Sequence, residues 1–149
     1  MERAIQLSLD NIQSGGGPFA AVIVRGGEIV AEGANRVTAN NDPTAHAEIV
    51  AIREACQKLG MFSLQECEIF TSCEPCPMCL GAIYWARLAK IYYANTAVDA
   101  AAIGFDDSFI YGEFTRPPGL RKIPMIPILR DQALRVFHAW QQKQDKIFY

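Results

Sequence analysis

At 149 residues, half of them apolar and a fifth charged, the chain suits one domain whose core needs no disulfide help. A formal net charge of −2 argues against a protein that grips nucleic acid by neutralising phosphates, and no apolar stretch reaches membrane-spanning length. Five cysteines, an odd number, exclude a fully paired disulfide framework and point to a reducing compartment, the cytoplasm; the N-terminus lacks the basic start and apolar run of a signal peptide.

Ile5, Leu9 and Ile12 fall at helical spacing, which predicts an amphipathic helix over 2–13, ended by Ser14-Gly15-Gly16-Gly17-Pro18. Residues 19–24 and 29–34 are apolar and rich in β-branched side chains, and Gly26-Gly27 between them predicts a hairpin. That hairpin sets Phe19 and Asn35 beside each other at its open end. On residue type alone, Phe19 serves equally as a core aromatic and Asn35 as a turn residue. After a loop at 38–41, a helix is predicted over 45–59, with Asp42 as N-cap, Pro43 in the first turn and Gly60 as its stop. Residues 68–72 form a short strand, a helix opened by Pro75 runs to about Ala86, and residues 90–94 form a further strand. Two strand-then-helix units in succession imply crossover connections, parallel neighbours and a helix-covered sheet.

Residues 97–103 suit a short helix. The stretch 104–111 mixes acids with large aromatics, as in a loop lying over a pocket. Residues 123–129 are apolar but carry Pro124 and Pro127, which confines them to an edge strand. A last helix is expected over 131–146, with Leu134, Phe137 and Trp140 on one stripe and His138 off it, at the surface. The terminal pair Phe148-Tyr149 is suited to docking, on its own domain or on a partner chain. Arg116, Arg121 and Lys122 are interrupted by Pro117, Pro118 and Gly119 and suit a solvated loop.

Two segments carry chemistry: Thr44-Ala45-His46-Ala47-Glu48, and Cys73-Glu74-Pro75-Cys76-Pro77-Met78-Cys79. A lone Cys-x-x-Cys is often a redox pair or half of a zinc ribbon, and a lone His-x-Glu usually means nothing. A ribbon needs a second Cys-x-x-Cys, which is absent. Together the segments offer the His46 imidazole, the Cys-x-x-Cys pair Cys76 and Cys79, and a separate carboxylate, Glu48. Three ligands leave a fourth position open for water, the mark of a catalytic rather than a structural zinc. Cys56 and Cys67, within a helix pattern and before a strand pattern, are expected to be buried free thiols.

The His-x-Glu…Pro-Cys-x-x-Cys pattern is that of the zinc deaminases. With Gly17-Pro18-Phe19, the stretches 40–48, 71–86 and 104–111 and the terminal Tyr149, nearly the whole chain resembles the bacterial guanine deaminases of the cytidine deaminase superfamily. The resemblance implies an α/β, three-layer fold with a five-stranded mixed sheet between helices. It implies one zinc-dependent deaminase domain over 1–149, in a homodimer that exchanges its C-terminal segments, about 131–149. It further implies one Zn²⁺ per subunit on His46, Cys76 and Cys79, and Glu48 as proton shuttle; the second proton transfer, to the leaving amine, falls to Glu48 or to Asp107, since a carboxylate on the amino side shortens the proton path. Phe19, Asn35, Ala47, Trp85 and Asp107 are then expected around a purine, with Tyr149 arriving from the other subunit. The implied partners are a small-molecule purine and a second copy, with no nucleic acid and no membrane.

The nearest alternative is a tRNA adenosine deaminase, which shares the metal pattern but needs clustered basic groups for an RNA stem. Cytidine or cytosine deamination is a weaker rival. A non-catalytic zinc module belongs to a different class, and Glu48, a carboxylate with no structural duty beside a ligand, argues against it.

Overall fold

The computed structural model describes residues 1–149, which divide into two compact units, Met1–Asp107 and Ser108–Tyr149. In the first, helix α1 (Glu2–Gln13) leads into strands β1 (Ala20–Arg25) and β2 (Glu28–Ala34). A short helix α2 (Val37–Asn40) and the longer α3 (Ala47–Leu59) follow, then β3 (Cys67–Cys73), α4 (Pro77–Trp85), β4 (Lys90–Asn95) and α5 (Ala97–Ala102). Gly26 and Gly27 both have positive φ, the conformation that a two-residue hairpin turn demands, so β1 and β2 pair as the sequence predicts.

The strands form one sheet in the order β2-β1-β3-β4. β1 runs antiparallel to both its neighbours, whereas β3 and β4 are parallel and α4 provides the crossover between them. Ala20 and Val22 on one face of β1 are as buried as Ala21 and Ile23 on the other. A strand covered on both faces needs helices on both sides, and α1 and α3 supply them. The main core gathers Ala21, Ile23, Ala31, Ile69 and Leu64 with Ala47, Ala51 and Ala55 of α3.

The sheet has four strands, not five. The edge strand expected over 123–129 does not form: Pro124 and Pro127 remove two backbone donors within four residues, and the segment has no regular structure. The second unit contains α6 (Ser108–Thr115), a 3-10 turn (Pro118–Leu120) and α7 (Arg130–Gln142). α7 stops short of residue 146, and none of its residues is buried. In the basic stretch, Glu113 pairs with Arg116 at 2.9 Å and accepts from the backbone N–H of Lys122 at 2.6 Å. No helix is long and apolar enough to cross a membrane.

Gly33 allows β2 and α3 to approach closely, since a Cβ there would lie 2.2 Å from the Ala47 carbonyl oxygen and 2.5 Å from the Ala51 nitrogen. Both are backbone atoms of α3, so nothing can rotate away. Gly33→Ala is expected to lower stability by about 1–3 kcal/mol, the usual range for an overpacked core, and to drop the thermal midpoint by several degrees. An unchanged midpoint would show that α3 is not held against the sheet there.

Candidate active site

The donors meet because two helices begin at the same place. His46 is the N-cap of α3, and Cys76 is the N-cap of α4, both with extended backbone. An N-cap is normally a Ser, Thr, Asp or Asn whose side chain folds back onto the helix. The His46 side chain makes no such bond, and its Nδ1 instead stands 3.5 Å from the Cys76 Sγ. Cys79, three residues on and on the same side of α4, completes a group whose ligating atoms lie within 4.8 Å of one another.

The helix starts differ from the sequence expectation in both cases. α3 starts at Ala47, because the Asp42 carboxylate accepts from the backbone N–H and hydroxyl of Thr44 (2.8 and 2.7 Å) and builds a turn rather than a helix. α4 is opened by Pro77, not Pro75, since Cys76 must stay extended to aim its sulfur.

The donor chemistry fits zinc. Ligands about 2.1–2.3 Å from a tetrahedral centre stand roughly 3.6 Å apart, close to the Cys76–His46 separation of 3.5 Å. The Cys79 thiol and the His46 imidazole hold the Cys76 thiol down at about 4, while the same contact and burial push Cys79 well above its ordinary value. The hydrogen bond to Cys76 raises the His46 pKa.

Glu48, in the first turn of α3, is only 8 % exposed, and burial pushes its carboxyl up. It lines a cavity of about 450 Å³ with His46 and Cys76, and the same cavity takes in Phe19, Asn35 and Asp107. Asp107 is raised by burial and by the Cys76 thiolate. Ala47 is buried between His46 and Glu48 and is not among the lining residues. Trp85 does not join the cavity either. It ends α4, roughly 12 Å along the axis from the helix start at 1.5 Å per residue, and is 71 % exposed. Tyr149 belongs to the second unit and is 73 % exposed.

Several lining residues were not legible beforehand. Phe105 sets its ring edge-on to Phe19, centroids 4.9 Å apart at 88°. Glu74 accepts from the Ala97 N–H at 3.0 Å and so ties the metal segment to the start of α5. Thr38, Ser72 and Ala100 also line the wall. Only the acid-and-aromatic composition of 104–111 hinted at any of these.

Residues 1–95 match the family model described as the cytidine and deoxycytidylate deaminase zinc-binding region. Over its full length the chain is 52 % identical to the guanine deaminase of Bacillus subtilis, covering 96 % of that protein. An X-ray structure of guanine deaminase from Bacillus subtilis superposes with a TM-score of 0.97, covering 99 % of this chain and 95 % of the other. The tRNA-specific adenosine deaminase of Aquifex aeolicus is 43 % identical over about half of each chain, 52 % of this one and 51 % of the other.

Zinc loading should depend on pH in a defined sense. Cys76 is already a thiolate near neutrality, whereas Cys79 must lose its proton to become a ligand, so loading releases at least one proton. Chelator competition between pH 6.5 and 8 is expected to show affinity rising by at least about tenfold per pH unit, more steeply at the acid end where His46 must also give up a proton, and a flat profile would contradict this donor set. The arrangement of donors and the matches over the whole chain lead to one conclusion: the chain belongs to the cytidine and deoxycytidylate deaminase family, in the branch that holds the guanine deaminases.

Proposed function

We propose that this chain is a zinc-dependent hydrolase that converts guanine and water to xanthine and ammonia. One observation carries the reading. A three-donor metal group, a buried unligated carboxylate and an aromatic-walled slot share a single cavity, in a chain matched end to end by a guanine deaminase. His46, Cys76 and Cys79 would hold one zinc per subunit. When bound, zinc supplies a water acidic enough to attack carbon at neutral pH.

Glu48 would take a proton from the attacking water and deliver it to N3 of the ring as C2 becomes tetrahedral. Its burial suits both halves of the task, because a carboxyl raised above its usual range accepts a proton readily and still gives it up. The other proton of water goes to the C2 amine, by way of Glu48 or of Asp107, and ammonia departs while the oxygen stays on C2. Asp107 is suited to that second transfer because its pKa is also raised. Phe19 and Phe105 give the ring an apolar wall, and Asn35 offers an amide to its edge.

The assembly we infer is a homodimer in which about 131–149 is exchanged, bringing Tyr149 to the pocket of a second copy, in the cytoplasm. Support comes from the second unit, where Phe109, Phe114, Val136, Phe137 and Phe148 are all exposed. Such an apolar surface calls for a cover.

Ammonia release from guanine, adenine, cytosine and a tRNA substrate tests the reading, with guanine expected to dominate. Glu48→Gln should keep its zinc and lose about 10²–10⁴ in kcat, the usual worth of a general acid/base. Near-normal turnover by that variant would remove Glu48 from the mechanism. Deleting Phe148 and Tyr149 is expected to cut guanine turnover while the melting midpoint holds, and an unchanged rate would end the role given to Tyr149.

A further inference from the structure

Two residues of the cavity wall, Phe19 and Asn35, are tied together by a residue that does not line the cavity. Asn11, in the last turn of α1, is only 4 % exposed and polar. Its Nδ2 donates to the Gly17 carbonyl at 2.7 Å and to the Asn35 carbonyl at 3.0 Å, so both hydrogens of the amide are used. The Gly17 carbonyl accepts a second bond, from the Phe19 N–H at 2.9 Å, and the Phe19 carbonyl accepts from the Asn35 N–H at 3.0 Å. These four bonds close a circuit that runs from Asn11 to Gly17, Phe19, Asn35 and back.

The neighbouring glycines are shaped to this hub. A Cβ on Gly16 would fall 2.4 Å from Asn11 Nδ2, and one on Gly17 would press on the Asn35 side chain at 3.3 Å. Asn35 Oδ1 in turn accepts from the Val37 N–H at 3.3 Å, which orients the Asn35 amide. A buried amide with both hydrogens committed to carbonyls holds those carbonyls at a set spacing, and losing it removes the one bond that joins the Gly17 carbonyl to the Asn35 carbonyl.

We propose that Asn11 is a positioning residue for the substrate ring: it sets the separation of Phe19 and Asn35, and hence the width and polar edge of the slot that receives a planar amino-bearing nucleobase. The proposal rests on the deaminase reading above. Asn11 acts on binding rather than on chemistry, because the proton carrier Glu48 and the metal donors stand on α3, α4 and the turns that open them. An interaction that serves ground state and transition state alike appears in KM and leaves kcat.

The test is a steady-state comparison of wild type, Asn11→Ala and Asn11→Asp on guanine, with zinc content and melting midpoint recorded for each. Asn11→Asp keeps the shape but turns the donor into an acceptor facing two carbonyls. The expected result is KM raised by about tenfold, the worth of roughly one well-placed polar contact to the ring, with kcat within about twofold and zinc unchanged. Unchanged KM in a folded, zinc-loaded variant overturns the proposal, as does a fall in kcat alone. Should neither Asn11 variant fold, Gly16→Ala decides: its Cβ meets the Asn11 amide at 2.4 Å and Gly16 does not line the cavity, so KM must rise there too or the proposal falls. A wild type that deaminates adenine or cytosine but not guanine overturns the substrate reading, and the same KM comparison on that base still judges Asn11. A wild type that turns over none of the three overturns both.

Discussion

An imidazole and two thiols held within 4.8 Å of one another is the constraint to which the rest of the first unit answers. Three such donors do not gather for their own sake. The His46 imidazole and the Cys79 thiol hold Cys76 low, in the thiolate form that a metal ligand needs. Bringing His46 and Cys76 to one point requires two helices to begin there, each led by a residue that gives its side chain to the centre instead of to its own helix. The dipoles of both helices then favour the anionic forms of Cys76 and Glu48 at that point, while burial opposes ionisation of Glu48. A carboxyl balanced between those influences is suited to passing protons.

Sheet topology explains why the ring-binding residues arrive at the same place. β1 is antiparallel to β3, so the start of β1, after Phe19, lies at the same end of the sheet as Cys73, the last residue of β3. β2 is antiparallel to β1, so Asn35, after the end of β2, is there as well. β4 is parallel to β3, with Cys73 opposite Asn95, so the chain leaves β4 toward α5 and Asp107 from that end too. A single sheet end therefore collects residues drawn from positions 17 to 107. This is where open α/β sheets generally bind ligands.

The two helices packed on the sheet have different duties. α3 must sit hard against β2, and the missing side chain of Gly33 lets its backbone do so. α1 brings no residue to the cavity, yet its Asn11 reaches the backbone of the loop before β1 and of Asn35 after β2. The first arrangement places the acid beside the metal donors. The second ties Gly17 to Asn35, two residues of the cavity wall.

The chemistry of the centre was determined by the sequence alone, because ligand identity and short spacing are local properties: His46 two residues from Glu48, and Cys76 three from Cys79, on segments that each open a helix. The hairpin was equally local, since Gly26-Gly27 admits the positive φ angles that its turn needs. Helix starts were less certain, because Pro75 and Pro77 carry equal propensity for a first turn, and only the demand that Cys76 stay extended selects the second. Four features were decided by tertiary structure. They are the closed circuit through Asn11, the meeting of Phe105 with Phe19, the distance of Trp85 from the cavity and the absence of a fifth strand. The first three depend on which chain segments the packed sheet makes neighbours, and the last on whether a proline-bearing segment finds a strand to pair with. Residue types mark 123–129 as a poor strand through Pro124 and Pro127, but no local pattern encodes which segments become neighbours.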